Sequence, residues 1–168
     1  VRPQIVRPIS LALSASALIV VAASARAADY VNVRYGYLVS YPADLLVAEP
    51  ESDAGDGRRF HARQGSAKLV VWAEWRLDDD TIDQTPFAIS RSAASDCAEG
   101  KVSYRLVRPA VVAMSCVTKI GVVVYQKTLI SKDKLTSVRF EYPYAERKRW
   151  DQVVTRVAAS LHGGSPAQ

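Results

Sequence analysis

Apolar residues along the chain recur with two periods, and the switches between them mark out the elements. Tyr37, Val39 and Tyr41 recur every second residue and stop at Pro42, which predicts a short strand closed by a turn. Glu49 to Gly57 is acidic and contains glycine, so it is expected to be a loop. Asp56-Gly57 is a hairpin dipeptide, and Arg58 to Ala62 is the strand expected after it. From Ala67 to Arg76 the odd positions Leu69, Val71, Ala73 and Trp75 form an apolar face. The even positions mix Lys68, Val70, Trp72, Glu74 and Arg76, a partly wet face.

Helix-start chemistry follows at Asp78 to Thr81, with Thr85-Pro86 as an alternative start, and a helix is expected to about Ser95. Four strands come next in close order. Val102 to Leu106 alternates; Val111 to Val117 follows a turn at Arg108-Pro109; Val122 to Ile130 follows Ile120-Gly121. After a polar turn at Ser131 to Lys134, Thr136, Val138, Phe140 and Tyr142 form one face of the last strand. Such spacing predicts an antiparallel meander. Beyond Pro143 the period lengthens. Trp150, Val153, Val154, Val157, Ala158 and Leu161 make one helical stripe, expected to run through His162 and to stop at Gly163-Gly164. The fold class expected is α+β, an antiparallel sheet with helices packed on it, in a single domain over residues 28–162 with a disordered tail at 163–168.

The first 27 residues read differently. Arg2 and Arg7 give a basic start, Ile9 to Ala23 is an uncharged run of 15 residues, and Ala25-Arg26-Ala27 places small side chains where signal peptidase cuts. A membrane anchor needs about 20 apolar residues, so the run is read as a cleaved signal peptide that leaves no stable membrane insertion. The absence of cysteine near the cut argues against a lipid anchor. A periplasmic or secreted bacterial protein is expected.

Removing that leader changes the charge. Three of the 22 basic residues lie in it and none of the 17 acidic ones, so the remaining 141 residues carry 19 against 17, a net charge of +2 rather than +5. A nucleic-acid partner is not expected at that balance. The two cysteines, Cys97 and Cys116, are expected to pair in an oxidising compartment.

The segment from Tyr35 to Leu45, Tyr-Gly-Tyr-Leu-Val-Ser-Tyr-Pro-Ala-Asp-Leu, resembles the opening of PsbP/Mog1-like domains, and Val153 to Leu161 is similar to their closing helix. Gly55-Asp56-Gly57-Arg58-Arg59-Phe60 also resembles a segment of uncharacterised exported bacterial proteins. The resemblance implies an α/β/α sandwich and a tendency to bind other proteins. It carries over no catalytic residue.

Candidate chemistry is sparse. His61 lies among Arg58, Arg59 and Arg63, a cationic setting that disfavours metal, and His162 suits the negative end of a helix. No metal-ligand cluster, cofactor motif or G-x-S-x-G nucleophile is present. Glu49, Glu51, Asp53 and Asp56 fail the EF-hand spacing, with Gly55 and Gly57 at ligand positions, and are read as a solvated turn. Arg58, Arg59 and Arg63 interleave cations with Phe60 and His61, and Trp72 lies on the mixed strand face, to be covered by a helix or left as an anchor. These four are the candidate partner contacts. The function expected is a non-enzymatic domain that binds another protein or envelope component; the alternative is a small hydrolase or ligand-binding enzyme, which requires a concave pocket with converging polar groups.

Overall fold

The computed structural model describes residues 26–77, 82–97 and 100–163. Residues 1–25 of the leader, the Asp78 to Thr81 helix start, residues 98 and 99, and residues 164–168 lie outside them. Among the described residues, no helix is long and apolar enough to cross a membrane.

The described strands are β1 (Ala27–Asn32), β2 (Tyr37–Pro42), β3 (Leu46–Glu51), β4 (Gly57–Ala62), β5 (Lys68–Trp75), β6 (Lys101–Arg108), β7 (Val111–Val117), β8 (Val122–Ile130), β9 (Lys134–Pro143) and β10 (His162–Gly163). The helices are α1 (Pro86–Ala93) and α2 (Arg147–Ser160). β3 to β9 form a seven-stranded antiparallel sheet in the order β3-β4-β5-β9-β8-β7-β6. Two meanders, β3-β4-β5 and β6-β7-β8-β9, thus join along β5 and β9, with α1 in the crossing between them. A smaller sheet, β1-β2-β10, lies apart from it.

Strand alternation sends the two faces of the large sheet to different partners. On one face Phe60, Leu69, Val71, Val138 and Phe140 meet Tyr30, Tyr37 and Val39 of the small sheet and the α2 stripe Trp150, Val153, Val154, Val157 and Ala158. Trp150 is fully buried, and its indole N–H donates to Glu146 Oε2 at 2.9 Å in the turn before α2. The opposite face carries α1. Thr85 caps it by accepting from the Ala88 amide at 3.2 Å, and Pro86 opens it, so the second of the two expected starts is the one formed. Ala93 and Cys97 pack there on Met114, Cys116 and Val124. The Cys97–Cys116 disulfide is formed, with the α-carbons 6.0 Å apart, and ties the turn after α1 to β7. Helices on both sides of the sheet give the expected α+β sandwich.

Four expectations are corrected. β1 is not expected: its buried residues, Tyr30 and Asn32, carry polar atoms, while Val31 within it and Val33 just past its end point to solvent, so its polarity is inverted relative to a half-buried strand. β3 occupies the start of the expected acidic loop as an edge strand, with an irregular register between Ala48 and Glu51 that accommodates Pro50. Lys134 opens β9 as a buried residue rather than ending a turn; its ammonium donates to the Tyr35 carbonyl. Finally, α2 ends at Ser160, and His162 and Gly163 pair with Leu38 and Tyr37. His162 is therefore in a strand, and Gly163 belongs to the folded domain rather than to a tail.

Candidate functional site

α2 rests on β2, β9 and β8. β7 and β6 extend past it, so on the α2 side the outer part of the large sheet has no helix over it. Two adjoining cavities, of about 500 and about 740 Å³, fill the resulting groove and share Tyr104, Ser115 and Asp151.

Each wall follows from local structure. In β7 the alternating residues Val111, Ala113, Ser115 and Val117 face the groove; in β8 they are Val123, Tyr125 and Lys127. Lys101, Tyr104 and Leu106 of β6 are on the same side. α2 contributes Asp151, Val154, Thr155, Ala158 and Ala159, which share a face by helical spacing. Tyr144 and Arg147 close the outer end, with the guanidinium carbon 4.4 Å from the tyrosine ring centroid.

The inner cavity is mostly apolar. Lys127 lies in it, and its ammonium donates to the Ala158 carbonyl at 2.6 Å, one of the carbonyls that the end of α2 leaves without an intrahelical donor. Burial lowers the pKa of this amine. Burial, and then the neighbouring Tyr104, push the Tyr125 phenol up. Asp151 accepts from the Tyr142 phenol at 2.9 Å, and burial together with that hydrogen bond raises the Tyr142 pKa. Lys101 and Arg147 line the outer cavity together with the carboxylate of Asp151.

The four candidate contact residues are divided. Arg58, Arg59 and Trp72 line a separate hollow of about 520 Å³, together with Glu49, Glu51, Asp53 and Asp56. The cations there lie beside the chain's own carboxylates. Arg58 also stacks on Tyr30, 4.7 Å from the ring centroid, on the face opposite that of Arg59. Trp72 is half-buried beside this loop, while α1 packs on β6 and β7. Arg63 lies beyond the other end of β4 and donates to the Ala43 carbonyl at 3.1 Å.

The acidic loop is tied down by hydrogen bonds. Glu51 accepts from the Tyr30 phenol at 2.7 Å and from the Asn32 amide at 2.9 Å, Asn32 also donates to the Gly55 carbonyl, and Tyr37 donates to the Asp56 carbonyl at 3.0 Å. His61 Nδ1 is 3.2 Å from Glu49 Oε1, at the surface. Among the described residues no group of three acidic, histidine or cysteine side chains is placed to hold a metal, and no serine hydroxyl is hydrogen-bonded to either histidine ring.

The groove itself was not found from the sequence. Its one visible signal was the second stripe on α2, Asp151, Thr155 and Ala159, whose small and polar residues suit a helix flank that stays open.

No protein-family model matches the chain, and no curated protein matches its sequence significantly. Among solved structures it is similar to the solution structure of cyanobacterial PsbP (CyanoP) from Synechocystis sp. PCC 6803, with a TM-score of 0.62 at 12% identity, over 90% of this chain and 99% of that one. At that identity the likeness is one of fold, and the fold is PsbP-like.

Proposed function

We propose that the chain is an exported bacterial domain, released after Ala27 into the periplasm or medium, that binds another envelope protein without chemistry of its own. The observation that carries this reading is the groove beside α2. Tyrosine and arginine are the side chains that most often anchor protein contacts, and Tyr104, Tyr144 and Arg147 stand at its exposed outer half. Lys101 and Arg147 there suit an acidic segment of the partner. Export is supported by the leader pattern, by the disulfide, and by β1 beginning at Ala27, so that a cut there removes one residue of the first strand. The Gly-Asp-Gly-Arg-x-Phe segment fits the same class of exported proteins.

Capture from envelope extract with the natively exported protein tests this. Lys101→Glu with Arg147→Glu is expected to abolish capture of a partner that the wild type retains. Substitution of Arg58, Arg59, Arg63 and Trp72 is expected to leave that partner bound. Retention by the groove variant would overturn the assignment of the docking face, and loss with the second set would move it to the β4–β5 hollow.

A further inference from the structure

We propose that the inner cavity of the groove binds a carboxylate carried on an apolar chain, with the ammonium of Lys127 as its counter-ion. This rests on the binding reading above only in treating the groove as a binding surface, and it assigns that surface a second, small ligand.

Lys127 occupies a position on β8 whose neighbours on the same face, Val123, Tyr125 and Leu129, belong to the hydrophobic core or pack against it. An ammonium has three N–H donors. One reaches the Ala158 carbonyl; among the described residues the other two have no protein acceptor. The amine is part-buried, and that desolvation lowers its pKa. A group in that condition gains most from an anion that arrives with its own apolar body.

The surroundings select the rest of the ligand. Leu106, Val111, Ala113 and Val154 line the cavity, whose volume of about 500 Å³ falls in the usual range for small-molecule sites of roughly 300–1,000 Å³. Two of the other polar groups are engaged: the Thr155 hydroxyl donates to the Asp151 carbonyl at 2.9 Å, and the Asp151 carboxylate accepts from Tyr142; the Tyr104, Ser115 and Tyr125 hydroxyls also line the cavity. Asp151 is the one carboxylate among the lining residues, at the boundary with the outer cavity. One cation in an apolar slot matches a monocarboxylate with a hydrocarbon tail.

Calorimetric titration of the exported protein with decanoate, decanol and decyltrimethylammonium decides the matter. Decanoate is expected to bind and the other two to bind at least tenfold more weakly, as for loss of a charge-assisted hydrogen bond, which amounts to about tenfold or more. Lys127→Met is expected to weaken decanoate to the level of decanol, and Lys127→Arg to keep it. Ala159→Leu, which fills the cavity from the exposed flank of α2, is expected to weaken all binding without touching the amine. On addition of decanoate the Lys127 side-chain carbon resonances should titrate at higher pH. Equal affinity for decanoate and decanol, no decanoate binding, or decanoate binding indifferent to Lys127→Met in a folded variant would overturn the assignment. If decanoate fails while the Lys101/Arg147 variant still loses its captured partner, only the small-ligand assignment falls. If decanoate tracks Lys127 while that variant keeps its partner, only the protein-docking reading falls.

Discussion

A Cβ at Gly57 would overlap the Val71 carbonyl oxygen and lie 2.8 Å from the Trp72 α-carbon, because β4 crosses there against β5 with no room for a side chain. The obstacle is backbone, which cannot rotate away. Gly57→Ala is therefore expected to destabilise the fold by about 3 kcal/mol, the upper end of the ordinary overpacking range, read as a shift in the urea midpoint; an unchanged midpoint would show that the hairpin can open at that point. Ionisable residues make a second prediction at this scale. Tyr30, Tyr37, Tyr125 and Tyr142 all have phenols raised above the ordinary 10.0, mainly by burial. Each holds its proton in the fold where the unfolded chain has lost it, so the stability they contribute is complete below pH 10.0 and is lost as the pH climbs toward their folded values. Lys127 acts oppositely: its folded pKa lies below 10.5, so stability rises with pH until the unfolded lysine also loses its proton. The urea midpoint should hold up to about pH 10 and then drop, with phenolate absorbance appearing together with unfolding. Phenolates that form while the fold persists would contradict this. Single residues are also where a linear reading of the chain fails most clearly. Lys134 looks like a turn residue by composition, yet it is buried because the Tyr35 carbonyl, 99 positions earlier, offers an acceptor that only the assembled fold brings near.

At the scale of elements, α1 is the weakest part of the structure. Its eight residues are too few to form a helix in water unaided. Its buried residues are only Ser90 and Ala93, and the small cluster it shares with Met114 and Val124 is closed by the disulfide. Cys97→Ser with Cys116→Ser is expected to cost about 3 kcal/mol in chemical denaturation, as for a crosslink closing a loop of this length. The amides of α1 should exchange fastest in the variant while those of β5 and β9 stay protected. Uniform exchange across the molecule would show that the bridge stabilises everything equally. The elements with a clean period were readable in the chain: β5, β7, β8 and β9, and the α2 stripe from Trp150 to Ala158. The elements that break their period were not. β1 hides Tyr30 and Asn32 and exposes valines, a pattern that makes sense only once Glu51 and Gly55 are seen to satisfy the buried polar atoms. β3 is acidic and carries Pro50, which an edge strand tolerates and an interior strand would not. β10 pairs only two residues, too few to leave a periodic signal.

The whole molecule is defined by unequal coverage of one sheet. β1 and β2 lie over the β4–β5 half, α2 over β9 and β8, and α1 over the far face, so the outer groove beside α2 is the region left over. No pattern within β6 or β7 encodes that vacancy; it arises from where α2 stops along the sheet, a relation between elements distant in sequence. The reading of the chain as an exported domain belongs to this scale too. N-terminal sequencing of natively secreted material is expected to begin at Ala28, which leaves five of the six β1 residues paired with β2. A start within the leader would remove the reason for assigning an oxidising compartment by targeting. The docking surface is tested most directly by a photo-crosslinking amino acid placed at Tyr104 in the groove and, separately, at Val33, which is 82% exposed on the turn after β1. In exported protein under native conditions, a single discrete adduct from position 104 and none from position 33 is the expected result. Adducts from neither position, or the same adducts from both, would contradict the groove as the place where this domain meets its partner.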